Sequence, residues 1–370
     1  MVDSAYFLAP PVVNVRFEVA PAFNAFQSLR ALIEVNRLSG LGEWVTQTTA
    51  NLPPERRDLT EIFYQTFETL FYEYIPVSRS ETDFLGYVDT IAACDPYQMR
   101  DAMLALYAKW PQHHPNLWSP ERGELTPERL LSEEDTFVSF LKASCEHSAL
   151  PNPTLLHRSF ELYQNPPQMQ AIIVEHLRWL WNEALADEWR RVQPMLEESV
   201  AAFRRMDFSN VTALEATRIV TTRDLSGMLE HKTEIIDTVV FVPSAHIGPY
   251  VTISTLETTL YVIFGARLPR NAQIVSSALS RSELLTRLNA LGDDTRLRIL
   301  ELLTQNEELC AQDIIERLDL SQSSISRHLS QLSANGFITE RRREVAKCYS
   351  LNTDRVMDTL RTLTNYLSRQ

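Results

Sequence analysis

The last quarter of the chain constrains the fold most, because short helical patterns, a tight turn and a basic hairpin follow one another there in fixed order. Cys310–Leu318 has the spacing of one short amphipathic helix, Asp319-Leu320-Ser321 is turn material, and Gln322–Ser333 is a second helix. In that second helix Ile325, Leu329 and Leu332 repeat four and three apart and face a core. The opposite face offers Gln322, Ser323, Ser324, Ser326, Arg327 and His328, all short or hydrogen-bonding. Asn335-Gly336 ends the helix, since glycine takes the left-handed conformation cheaply. Phe337–Arg343 and Lys347–Leu351 then read as two strands around Glu344-Val345-Ala346, with Arg341, Arg342, Arg343 and Lys347 at the tip. Upstream, Glu283–Leu291 is helical, Gly292-Asp293-Asp294 stops it and caps the next helix, and Thr295–Leu303 is expected to point Leu297, Leu300 and Leu303 inward.

Charge distribution decides what such a segment can touch. The chain carries a net charge of −13, which opposes nucleic acid. From Ser282 to Gln370, however, 12 Lys/Arg face 13 Asp/Glu, so residues 1–281 hold −12 of that charge. Any duplex therefore meets the C-terminal part. A length of 370 residues suits two or three domains, and 44% hydrophobic with 22% charged residues is the composition of a folded, soluble protein. No apolar stretch approaches the ~20 residues a membrane span needs, and Met1–Ala5 shows no cationic segment ahead of an apolar run, so no leader or membrane partner is expected. Cys94, Cys145, Cys310 and Cys348 lack paired spacing, and free thiols in a reducing cytoplasm are expected.

Residues 1–268 read as one helix-rich α+β domain. A strand-like run opens it at Val12–Val19, and helical periodicity follows at Phe26–Ile33, Leu59–Leu70 and Met99–Leu106. Proline-rich loops interrupt at Pro111–Pro120, Leu150–Pro153 and Asn165–Pro167. The longest helical pattern spans about 168–206, and Pro194 should kink it or start a new helix. Strands return at Asp237–Val242 and Thr258–Phe264, with His246–Pro249 as a turn between them. Residues 269–281 form a linker, and 282–370 form the C-terminal domain.

Leu291–Leu300, Leu320–Leu329, Asn335-Gly336 and the hairpin resemble the ArsR-type winged-helix repressors over roughly the last quarter of the chain. The resemblance implies a homodimeric, cytoplasmic, prokaryotic repressor on a two-fold double-stranded DNA operator. The polar face of 322–333 would enter the major groove, and wing residues 341–347 would lie on the backbone or minor groove. For Ser323 and Ser324, helix capping is as good a reading as base contact. The dimer surface implied is the 283–291 helix, with Leu284 and Leu288, and the final helix, where Val356, Leu360, Leu363 and Leu367 repeat in a heptad pattern.

Metal sensing in this family uses two cysteines one residue apart. Here Glu308–Asp313 keeps Cys310 and has Gln312 in the second place, and 353–370 contains no histidine, so no metal or other cofactor is expected. Cys310 then reads as a small buried residue, with a redox role together with Cys348 as the second reading. No zinc-protease, nucleophile-elbow or Walker pattern occurs, Gly40-Leu41-Gly42 reads as a turn, and no catalytic residue is assigned. His113-His114 and Cys145-Glu146-His147 read as surface groups. Trp179, Trp181, Trp189 and Phe203 read as core, with an apolar effector pocket in the N-terminal domain as the second reading. Two rivals stay open: an enzyme with a DNA-binding appendage, and a winged helix that contacts only protein.

Overall fold

In the computed structural model of the chain, the residues described are 12–35, 37–38, 40–113, 118, 122–144, 152–223, 225–229, 235–269, 277–343 and 346–368. The chain is helix-rich α+β, and it divides into two compact units. One takes Ala20–Arg37 and Glu43–Arg191; the other takes Met1–Val19, Leu38–Gly42 and Val192–Gln370. The division falls inside the 1–268 segment that the sequence suggests as one domain, and residues 270–276 of the expected linker lie outside the described residues.

The first unit is helical: α1 (Pro21–Glu34), α2 (Glu43–Asn51), α3 (Pro54–Thr66), α4 (Phe84–Ala93), α5 (Pro96–His113), α6 (Pro127–Ser132), α7 (Glu134–Ser144), α8 (Pro153–Gln164) and α9 (Pro166–Leu180). Proline lacks the amide hydrogen that a helix start leaves unpaired anyway, so Pro21, Pro54, Pro127, Pro153 and Pro166 begin helices. Asn152 and Asn165 cap two of these starts, accepting from Thr154 N and Gln168 N. The prolines at 153 and 166 thus open elements instead of merely separating them. Pro111 sits inside α5, near its end. Phe23, Phe26, Phe63, Phe67, Phe137, Phe140 and Tyr163 are among the buried aromatic residues of this core.

The expected helix over 168–206 is α9, a π-turn at Trp181–Leu185, and α10 (Ala186–Phe203). The irregularity lies at the π-turn, and α10 continues through Pro194. The tryptophans do not form one group with Phe203. Trp181 stacks on Phe84 and neighbours Trp189, while Phe203 joins the core of the second unit.

That second unit holds a four-stranded sheet in the order β1 (Asn14–Phe17), β2 (Thr238–Ser244), β4 (Thr259–Gly265), β3 (Val251–Leu256). β1, β2 and β4 run parallel, and β3 pairs antiparallel with β4. β3 follows the expected 246–249 turn and was not anticipated, although Val251, Ile253 and Leu256 alternate with Thr252 and Ser254. Phe17, Phe203, Phe241 and Phe264 fill the space between the sheet, α10 and α11 (Ala213–Thr221). A short helix, α12 (Ser226–Leu229), precedes β2.

The rest is the winged helix: α13 (Ser277–Leu291), α14 (Asp294–Thr304), β5 (Leu309–Cys310), α15 (Ala311–Leu318), α16 (Gln322–Ala334), β6 (Ile338–Arg343), β7 (Ala346–Leu351) and α17 (Thr353–Leu367). Its sheet order is β5-β7-β6. Ile299, Ile314, Ile325, Leu329, Leu332 and Phe337 form its core.

Two expectations are corrected here. Leu297 is 51% exposed, and Arg296 is buried beside it. The Arg296 guanidinium donates to Ala290 O (2.5 Å) and Asn289 O (2.6 Å), carbonyls left without amide partners at the end of α13. The inward face of α14 is therefore Arg296, Ile299, Leu300 and Leu303. Cys310 and Cys348 are not free thiols: they face each other across the β5–β7 ladder and form a disulfide. Cys94 is a free cysteine, and Cys145 lies outside the described residues.

Candidate nucleic-acid interface

Local chemistry sets each turn of the motif. Asp293 caps α14 by accepting from Arg296 N at 3.0 Å. Asp319 ends α15 in the left-handed conformation (φ 52°), which reverses the chain within a few residues. Ser321 caps α16, its hydroxyl accepting from Ser324 N at 3.3 Å. The capping reading of Ser323 and Ser324 thus belongs to the residue before them. Ser323 reaches the Ser321 hydroxyl at 3.2 Å.

On α16, Ile325, Leu329 and Leu332 are buried as their spacing requires, and Gln322, Ser323, Ser326 and Arg327 are exposed. Ser324 is half-buried. His328 turns away from this group. Only 16% of its side chain is exposed, and its Nδ1 stands 3.5 Å from Asp293 Oδ1. Burial holds its pKa below the ordinary histidine value, with Asp293 opposing, so the ring is neutral at pH 7. Farther along, Gln331 is buried, and its amide fills the space beside Gly40 (φ 81°) that a Cβ there would need.

The wing is a ladder with Arg342 opposite Lys347 and Arg341 opposite Cys348. Lys347 is exposed and pairs with Glu340 Oε1 at 2.9 Å. The side chains of residues 341–346 and the Glu344-Val345 tip lie outside the described residues. Behind the wing Tyr349 is buried, and burial with the nearby Glu340 charge pushes its phenol up to about 12. The disulfide ties the start of α15 to β7, so the first helix of the motif and the wing share one covalent link. His113 side-chain, His114 and 145–147 contacts fall outside the described residues, and among the described residues no three His, Cys, Asp or Glu side chains gather in a metal-binding arrangement.

The residues 293–340 match the model of the bacterial regulatory protein, arsR family. Over 74 residues the chain is 40% identical to the arsenical resistance operon repressor of Staphylococcus xylosus, covering 20% of this chain and 70% of that one. The chain belongs to the ArsR family. Other relatives include the transcriptional repressor SdpR of Bacillus subtilis, 35% identical over 22% of this chain and 88% of its own length. The transcriptional activator HlyU of Vibrio cholerae is 33% identical over 24% of this chain and 79% of its own length. A solved structure of reduced HlyU aligns with 31% identity over 24% of this chain and 93% of that chain, at a TM-score of 0.20.

Around the ArsR core, α13 and α17 meet through Arg287, whose Nη1 donates to Asp358 Oδ2 at 2.9 Å. Leu284, expected at a dimer surface, is buried inside its own chain, and Leu285 is exposed beside it. Leu288, Val356 and Leu363 are half-buried, while Met357, Leu360 and Leu367 are exposed.

Proposed function

We propose that this ArsR-family chain is a sequence-specific, double-stranded DNA-binding regulator of transcription, acting in the cytoplasm as a homodimeric repressor. The observation that carries the reading is the exposed face of α16, with Gln322, Ser323, Ser326 and Arg327 outward, next to a β6–β7 hairpin bearing Arg341, Arg342, Arg343 and Lys347. Short residues let the helix backbone approach base edges, and Gln322, Ser323, Ser324 and Ser326 carry discrimination there. Arg327 and the wing cations neutralise phosphates and supply affinity. His328, most of its side chain buried beside Asp293, is left out of the base-reading set. A duplex bound over a promoter excludes polymerase, which gives repression.

The test is Arg342→Ala on a duplex obtained by genomic binding-site selection. Removing one phosphate contact weakens binding about equally on all sequences and flattens the log–log salt dependence by about one unit. An unchanged slope takes Arg342 off the backbone. No salt-sensitive retention of the wild-type protein on any selected duplex ends the proposal as a whole.

A further inference from the structure

Within the second unit, the carboxyl ends of β2 and β4 open onto a half-enclosed cavity of about 80 Å³. Ends of parallel strands leave a crevice where the chain departs in different directions, a recurrent place for ligands. The crevice exists here because the 245–250 connection passes over the end of β4 to reach β3. Gly248 (φ 63°) and Gly265 make that passage possible, since a Cβ on Gly265 would meet Gly248 O at 2.5 Å.

Four guanidinium groups converge on this cavity, from Arg223, Arg267, Arg287 and Arg355. The carboxylates set against them among the described residues are Glu283, Asp358 and Glu340, three against four. Glu283 and Asp358 pair with Arg287 (Nη2–Oε1 2.5 Å, Nη1–Oδ2 2.9 Å), and Asp358 also lies 3.8 Å from Arg355. The Glu283 charge acts on Arg267 and Arg355 as well, and the Glu340 charge acts on Arg223. Arg287 is nine-tenths buried, yet its Nε has no hydrogen-bond partner. Arg267 donates to Gly265 O, Thr221 O and Thr222 Oγ1. Arg223 makes no side-chain ion pair or hydrogen bond among the described residues, and it follows Thr222, a β-branched residue in the left-handed region (φ 60°). Burial and neighbouring guanidinium charge hold Arg223 below the ordinary arginine range and bring Arg355 down to about 10. Cations gathered out of water with too few anions are relieved by a bound anion, and planar guanidinium forks match tetrahedral oxyanions.

We propose that this cavity binds a small oxyanion of the phosphate class and thereby adjusts the DNA-binding elements. The volume suits a phosphate group or a few waters, not a drug-sized molecule. The route to α16 is short: Arg355 Nε donates to Asn335 O, at the end of α16, at 2.9 Å, and Gly336 lines the same cavity. An anion that draws Arg355 and Arg287 acts at once on the end of α16 and on the α13–α17 pair. The regulatory half of the proposal rests on the DNA-binding reading above; the binding half does not.

The binding half is tested by calorimetric titration of the full chain without DNA, in a chloride buffer of low ionic strength, with inorganic phosphate in one arm and glycerol 3-phosphate in the other. Saturable uptake at one site per chain is expected, weakened at least tenfold in Arg223→Gln with no change in Tm. Preference for the first arm marks free phosphate as the ligand, and preference for the second marks a phosphorylated metabolite. No saturable uptake in either arm, or undiminished uptake in Arg223→Gln, overturns the site, because in the latter case the wing arginines hold the anion. Duplex affinity at matched ionic strength then tests coupling. A shift of about fivefold or more with phosphate, lost in Arg223→Gln, supports it. An equal affinity with and without phosphate in a protein that binds both duplex and anion refutes it while leaving DNA binding intact.

Discussion

At the scale of single residues, neighbouring side chains settle roles that residue type leaves open. Arg296 is buried because its guanidinium satisfies two helix-end carbonyls, and that displaces Leu297 to the surface. His176, in the helical unit, is another case. It is buried, stacked on Phe63 at 4.8 Å, with Thr60 Oγ1 3.1 Å from its Nε2. Burial first, and the Arg56 charge second, lower its pKa from 6.5 to about 3. Below pH 6.5 the unfolded chain takes up a proton that the folded chain refuses, so the stabilisation is present above 6.5 and is lost as pH falls. The loss is about 1.4 kcal/mol per pH unit in that window. Urea unfolding of the helical unit at pH 7.5 and pH 5 measures it, and His176→Gln should flatten the difference. An equally steep pH dependence in the variant would assign the effect to other groups.

At the scale of elements, helix starts and strand pairing were legible to different degrees. Asp293 was read correctly as a cap because an aspartate after glycine has few other uses at that place. Pro194 misled, since the expected break appears at Trp181–Leu185 instead. The Cys310–Cys348 bond had no signal in spacing, because 38 residues separate the two sulfurs in sequence and only the β5–β7 register brings them together. A link closing a loop of that size stabilises a domain by about 2–4 kcal/mol in the chain-entropy picture. Dithiothreitol should therefore lower the Tm of the winged helix, and Cys310→Ser should abolish the dependence on reductant. A Tm indifferent to reductant in the wild type would remove the disulfide from the stability of this element.

At the scale of the molecule, the exposed apolar residues of α17 bear on assembly. Met357, Leu360 and Leu367 lie exposed on a helix that otherwise packs on α13, and a stripe of this kind is usually covered by a partner. With the homodimer proposed above, Leu360→Glu should give a monomer by sedimentation and lose more than tenfold in affinity for a two-fold duplex, since each half-site would bind alone. A variant that remains dimeric places the contact on another surface. The acidity of residues 1–281 keeps the remaining surface from competing for phosphates.

The sequence by itself determined the winged helix-turn-helix, its order of elements, and the buried and polar faces of α16 apart from His328; the inward face of α14 was legible only in part, since Arg296 and not Leu297 turns inside. Those features rest on local periodicity and turn chemistry, which a few consecutive residues express. Only the tertiary structure decided the partition into two units, the turning of His328 onto Asp293, the disulfide, and the meeting of Arg223, Arg267, Arg287 and Arg355 at one cavity. Each of these joins residues far apart in the chain, and no local pattern records which distant backbone will lie alongside.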